Sequence, residues 1–198
     1  MLAALLFVGS LALQACGGAS DYYCGTLTRP LDPAGRVPGN ISIGFTWLPH
    51  SQSGIASAGT IVAAEGGPGF PSGASRDGYR TLFGSLLTTH DMLLMDDRGT
   101  GRSDPIDCRE LQSVASMSLA GVTSCGELLG DRSDLYGTGL AADDLDAVLA
   151  ALSIDSVDLY GDSYGTFFVQ VFAARHRARV RSVTLDAAYP AIGGDPWY

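Results

Sequence analysis

The sequence predicts an α/β fold, a mainly parallel sheet with helices on both faces. Three observations predict it. Short apolar runs rich in β-forming residues alternate with helical patterns. Glycine-bearing turns follow three of those runs, after Ala64, Met95 and Tyr160, and in such a sheet ligands bind outside the carboxyl ends of the strands. The third turn, Gly161-Asp162-Ser163-Tyr164-Gly165, separates an apolar run from a helix.

The elements follow in order. Met1 to Cys16 is apolar and ends in small residues, the pattern of an export signal, although no Lys or Arg precedes the run. Leu13-Gln14-Ala15-Cys16 resembles a bacterial lipobox, which makes Cys16 the expected lipidation site. A plain secretory signal cut nearby and a buried amino-terminal helix remain open beside it. Gly17 to Ser20 reads as a flexible tether, so the chain divides into a signal and tether, 1–20, and a folded part, 21–198. These readings place the protein in a bacterial envelope or outside the cell, with membrane attachment through Cys16 if it is lipidated.

Cys24 to Asp32 suggests a strand stopped by Pro30. Asn40 to Leu48 alternates apolar and polar residues, as at a sheet edge. Ser51 to Gly59 is a Ser/Gly/Ala loop. Thr60 to Ala64 and Met92 to Met95 are buried strands, with a helix over Tyr79 to Leu87 between them. Residues 105–137 show little pattern beyond a helical trace at Glu127 to Leu129. From Gly139 a helix is plain: Leu140, Leu145, Val148, Leu149 and Leu152 line one face, and Asp143, Asp144 and Asp146 make its first half acidic. Val157 to Tyr160 is a strand, a helix starts near Tyr164, and Arg179 to Asp186 is the last strand. The sheet then has an unpaired edge and an uncovered apolar face. The closing Asp195-Pro196-Trp197-Tyr198 resembles no natural carboxyl-terminal cap.

Composition bounds the function. The 198 residues suffice for one core, and a formal net charge of −9 argues against a nucleic-acid partner. Of the four cysteines, Cys108 and Cys125 bracket a short segment and are disulfide candidates, while Cys24 is left without an assigned partner. No spacing resembles a zinc site, and no motif asks for a metal, nucleotide or flavin, so no cofactor is expected.

The chemistry converges on Ser163. In a sharp strand-to-helix turn the central Ser is strained and exposed, and flanking glycines avoid collision with the neighbouring backbone. The simpler alternative is a Ser that caps the helix. Glu65-Gly66-Gly67-Pro68-Gly69 lies where a loop could lend an N–H to an oxyanion, with Gly67 favoured over Gly66 and Tyr164 N–H as second donor. The alternative is a Gly/Pro turn without a role. Asp97 and Arg98 are read as a pair that braces its own turn.

Gly66-Gly67-Pro68-Gly69, Asp97-Arg98-Gly99-Thr100-Gly101-Arg102-Ser103 and Gly161-Asp162-Ser163-Tyr164-Gly165-Thr166 together resemble the amino-terminal part of an α/β-hydrolase of the proline iminopeptidase and tripeptidyl aminopeptidase family, across residues 24–198. The resemblance implies an exported or lipid-anchored serine aminopeptidase acting on peptides. Ser163 would be the nucleophile, and Gly67 and Tyr164 the oxyanion donors. An esterase or lipase, or a non-catalytic envelope lipoprotein, is the alternative. Family members often carry His where Glu65 stands.

A triad on this fold runs Ser, acid, His along the chain. Only His176 follows Ser163, and it lies about 20 Å down the same helix at ~1.5 Å per residue. His50 and His90 are expected at the surface or in loops, away from Ser163. Asp186 faces the right end of the sheet, as a triad acid or as a turn residue. The sequence therefore reads as a fold truncated before the acid and His of its triad.

Overall fold

The structure, a computed structural model, describes residues 5–9, 11–17, 21–112 and 118–191. The end of the tether, Gly18 to Ser20, and the closing Asp195 to Tyr198 lie outside them. The described chain forms an eight-stranded sheet in the order β1-β2-β3-β4-β6-β5-β7-β8. Its strands are β1 (Leu5–Val8), β2 (Leu11–Ala15), β3 (Tyr23–Pro30), β4 (Asn40–Leu48), β5 (Thr60–Ala64), β6 (Asp91–Met95), β7 (Val157–Asp162) and β8 (Val180–Asp186). The strands from β5 onward pair in parallel. The amino-terminal strands form an antiparallel meander that joins them through β4 and β6.

The helices are α1 (Arg76–Phe83), α2 (Arg109–Gln112), α3 (Leu119–Leu129), α4 (Thr138–Ala151) and α5 (Tyr164–Arg175). Successive strand residues point to opposite faces. Val62, Ala64, Leu93, Met95 and Leu159 pack with Leu145, Val148, Leu149, Phe168 and Phe172 of α4 and α5. Ile61, Ala63, Met92 and Leu94 pack with Tyr79 of α1 on the other face. The apolar runs of β5 and β6 are continuous because both faces are covered.

Three regions differ from the sequence expectation. The segment read as an export signal contributes β1 and β2 to the sheet, with Gln14 and Ala15 registered against Cys24 and Tyr23. Its alternating small and apolar residues fit a strand as well as a signal. β4 is internal, not an edge, because it pairs with β3 on one side and β6 on the other. The single helix expected over Tyr79 to Leu87 is α1 followed by a 3₁₀ segment, Gly84–Thr88, because Gly84 takes a left-handed φ of 46° at the end of α1.

Among the described residues β8 pairs with β7 alone and is exposed beyond Val180, with Val183 and Leu185 open to solvent. Among the described residues no helix is long and apolar enough to cross a membrane.

Candidate active site

The turn at Ser163 is as tight as the motif requires. Ser163 joins β7 directly to α5 at φ 51°, ψ −118°. A β-carbon on Gly161 would fall on the backbone of Gly165 and Thr166, and one on Gly165 would fall on the carbonyl of Ala64. Both positions therefore exclude side chains. The elbow is braced: Ser163 N–H donates to Asp186 O at 3.0 Å, and Ser163 O accepts from Thr166 N–H at 2.9 Å and Thr166 Oγ1 at 2.7 Å. Thr166 is fully buried, and its hydroxyl also accepts from Tyr189 N–H. Ser163 makes no side-chain cap bond to α5, so the helix-cap alternative is not its role.

The Gly66-Gly67-Pro68-Gly69 loop lies directly over this turn. A β-carbon on Gly66 would sit 3.0 Å from Ser163 Cβ and 3.5 Å from Ser163 Oγ. Gly66 is thus the glycine that abuts Ser163, whereas Gly67, at φ 119°, turns toward Gly69 and Phe70. Tyr164 opens α5, and its hydroxyl lies 2.5 Å from Thr138 Oγ1 at the start of α4.

The Asp-Arg-Gly turn braces the site from the side. Asp96 accepts from Gly73 N–H at 2.8 Å and Arg102 N–H at 2.9 Å, tying the segment after the Gly-Gly-Pro-Gly loop to the turn after β6. The expected Asp97–Arg98 pair is corrected. Arg98 donates to Asp144 from Nε at 2.8 Å and from Nη2 at 3.0 Å, and from Nη1 to Leu31 O and Leu135 O. Arg98 and Asp144 are both buried, at 2% and 0% exposure. Asp144 therefore belongs to the core and not to the solvated acidic face of α4. Asp97, half-buried, is pushed up to about 7 by loss of water and by the carboxylates of Asp96 and Asp144.

None of the three histidines joins Ser163. His50 Nδ1 lies 2.8 Å from Asp91 Oδ1, and that hydrogen bond raises the imidazole above its ordinary value. His90 is beside Thr89 and Leu86 O. His176 follows the last turn of α5, with Nε2 2.9 Å from Asp143 of α4. Asp186 carries no imidazole; its Oδ2 accepts from Tyr160 O–H at 2.8 Å, and burial followed by Asp186 pushes the Tyr160 phenol up to about 12.

All four cysteines are bonded. Cys108 joins Cys125, and Cys16 joins Cys24 across a Cα separation of 5.1 Å. The Cys16 sulfur that a lipid thioether needs is held by Cys24, so lipidation at Cys16 and this disulfide exclude each other. Sequence spacing gave no sign of the second pair. Four surface clefts of about 390–500 Å³ lie elsewhere, and Ser163 lines none of them.

With this geometry in place, the comparisons with known proteins are specific. Residues 59–198 match the alpha/beta hydrolase fold family. The chain belongs to that family. It is 24% identical over 199 residues to a tripeptidyl aminopeptidase of Streptomyces lividans, covering 88% of this chain and 37% of that protein. It is 31% identical over 198 residues to the serine protease Hip1 of Mycobacterium tuberculosis, covering 87% and 36%. The chain thus spans little more than a third of the length of these relatives. Among solved structures, a proline iminopeptidase of Mycobacterium smegmatis matches with a TM-score of 0.53 at 17% identity, over 80% of this chain and 42% of that one. A probable hydrolytic enzyme of Pseudomonas aeruginosa matches at 0.55 and 15% identity, over 82% and 40%. These two likenesses show the fold alone.

Proposed function

We propose that this chain carries the nucleophile of an exported serine aminopeptidase that releases short peptides or residues from peptide amino termini. The observation that carries the reading is the backbone of Ser163, held at φ 51° between β7 and α5 against the Gly66 backbone. A left-handed φ on a non-glycine residue costs of order 1–3 kcal/mol, and such strain concentrates at functional sites.

In the proposed reaction Ser163 Oγ attacks the peptide carbonyl carbon as a base takes its proton, and a tetrahedral oxyanion forms. Gly67 and Tyr164 N–H groups are the proposed oxyanion donors, with Gly66 the neighbour that excludes side chains from the approach. Collapse expels the amine, which takes up the proton, and leaves an acyl-enzyme that water hydrolyses. No histidine of this chain is placed to act as the base, so the proposal supplies it from polypeptide outside these 198 residues. The names of the relatives favour a peptidase. An esterase on the same scaffold is the other reading, since fold does not fix substrate. The two disulfides support an oxidising compartment and hence export. A lipid on Cys16 belongs only to a form without the Cys16–Cys24 bond.

The test is acylation by activated esters in buffer containing imidazole as a surrogate base. A free-amine tripeptide p-nitrophenyl ester should acylate Ser163 faster than p-nitrophenyl butyrate, and Ser163→Ala should abolish both. Faster acylation by butyrate would turn the reading toward an esterase. Acylation unaffected by Ser163→Ala would overturn the nucleophile.

A further inference from the structure

The loop between β4 and β5 crosses the amino-terminal end of the parallel strands, opposite the end that carries Ser163. Backbone bonds pin both of its ends. Ser51 N–H donates to Leu87 O and Gln52 N–H to Thr88 O, each at 3.0 Å, and Ala58 N–H donates to Thr89 O at 2.9 Å. Its tip meets a side chain. His50 Nε2 lies 3.2 Å from Ile55 O, and His50 Nδ1 lies 2.8 Å from Asp91 Oδ1 at the start of β6. The same carboxylate oxygen accepts from His50 N–H at 2.7 Å. Both side chains are largely out of water, at 17% exposure for His50 and 12% for Asp91.

A carbonyl oxygen and a carboxylate oxygen only accept. A neutral imidazole has one N–H and one bare lone pair, so it satisfies one of these two oxygens; an imidazolium donates from both nitrogens and satisfies both. The arrangement is therefore complementary to the protonated ring. The surrounding charges leave Asp91 as its counter-charge. Asp21, ahead of β3, and Arg80 of α1 line the same cleft but pair with each other at 2.7 Å. Tyr23 of β3 contributes a phenol to that cleft. The 3₁₀ segment Gly84–Thr88 and loop residues 51–59 carry no charged side chain. His90 turns to Thr89 and Leu86 O. Arg181 of β8 donates to Ala58 O and pairs with Asp158. The hydrogen bond to Asp91 outweighs burial and holds the His50 imidazole above its ordinary value.

We propose that His50 is a pH-sensitive latch: its imidazolium bridges Asp91 and Ile55 O and so fastens the loop tip to the sheet, and loss of one ring proton releases the tip. The proton that remains on the neutral ring stays on Nδ1, where the acceptor is charged. Nε2 then turns a lone pair toward the Ile55 carbonyl oxygen, and the bond that held the tip is gone. The loop ends stay pinned by their backbone bonds, so the change is confined to the tip while β4, β5 and β6 keep their pairing. The sign follows from the raised imidazole. The latch is fully closed below about pH 6.5, the ordinary histidine value, and is lost as pH rises through the higher value of the fold. Each unit of that elevation is about a tenfold change in the ratio of closed to open tip. The latch lies away from Ser163 and does not depend on the peptidase reading.

The experiment is an NMR titration of the 198-residue chain from about pH 5 to 9, reading the imidazole nitrogens and the backbone order of the loop tip by 13Cα relaxation, which is insensitive to amide exchange. His50→Gln identifies the His50 signals among the three histidines. The His50 ring should lose its proton at a higher pH than it does in the same chain unfolded in urea, and its neutral form should carry the proton on Nδ1. Through that midpoint the order parameters of Gly54, Ile55 and Ala56 should fall from the rigid range, about 0.85, to below about 0.6. Asp91→Asn should move the ring titration and the loosening of the tip to lower pH together, and His50→Gln should erase the pH dependence of the tip. A midpoint at or below that of the unfolded chain, or a tip whose order does not change across the range, overturns the latch. A neutral ring protonated on Nε2 does so as well, because the bond to Ile55 O then survives. Should either variant fail to fold, the unsubstituted chain decides the matter alone, through its midpoint, its tautomer and its tip.

Discussion

Replacing Ser163 by glycine should leave the fold more stable than replacing it by alanine. Both substitutions delete Oγ, so their difference isolates the backbone. Ser163 sits at φ 51°, ψ −118°, where a residue with a β-carbon is held at a cost of about 1–3 kcal/mol. Glycine is relieved of that strain but has more freedom to lose on folding, about 0.4–1 kcal/mol relative to alanine. The balance favours Ser163→Gly by roughly 0.5–2 kcal/mol, whereas at an ordinary strand or helix position glycine is the worse of the two by ~0.5–1 kcal/mol. The sign is therefore inverted. Urea unfolding of the two variants, followed by circular dichroism, reads it directly, and each kcal/mol should move the thermal midpoint by roughly 2–4 °C in a chain of this size. If Ser163→Ala proves the more stable, Ser163 does not hold a left-handed backbone and the elbow argument fails.

Three further outcomes follow from the same structure. Asp144→Asn should destabilise by about 3–5 kcal/mol, because it leaves the Arg98 guanidinium buried without its counter-charge; Asp143→Asn, which breaks the more exposed pair with Arg175, should cost less than about 1 kcal/mol, and urea midpoints in the reverse order would contradict the packing. The Asp97 carboxyl, raised to about 7 in the fold against about 3.9 in the unfolded chain, holds its proton more tightly when folded, so its contribution to stability falls as pH rises from about 4 to 7. Asp97→Asn should flatten that part of the stability profile, and an unchanged slope between pH 4 and 7 would refute it. Thiol titration of the denatured, unreduced chain should find no free thiol, whereas a lipid on Cys16 would leave Cys24 free to react and add mass.

Much of this fold was legible from the residues, for identifiable reasons. β5, β6 and β7 are apolar runs bounded by glycine turns, and the amphipathic pattern of α4 is long enough to read without ambiguity. The elbow was legible because Gly161 and Gly165 sit where only glycine fits. The amino terminus misled because an apolar stretch with small residues satisfies both an export signal and a strand pair, and sheet pairing is a long-range fact that local sequence does not carry. Arg98 was matched to its neighbour Asp97 when its partner stands 46 residues away on α4. Asp144 read as one of three acids in the first half of its helix, and only packing shows that it points inward.

The most direct test of the account is fluorophosphonate labelling of the purified chain, with the adduct mapped by mass spectrometry at rising imidazole concentration. The account predicts slow labelling without imidazole, acceleration as imidazole supplies the base, a single adduct on Ser163, and none in Ser163→Ala. A folded chain that never labels at Ser163, or labels equally well after Ser163→Ala, would contradict the claim that this turn presents a nucleophile.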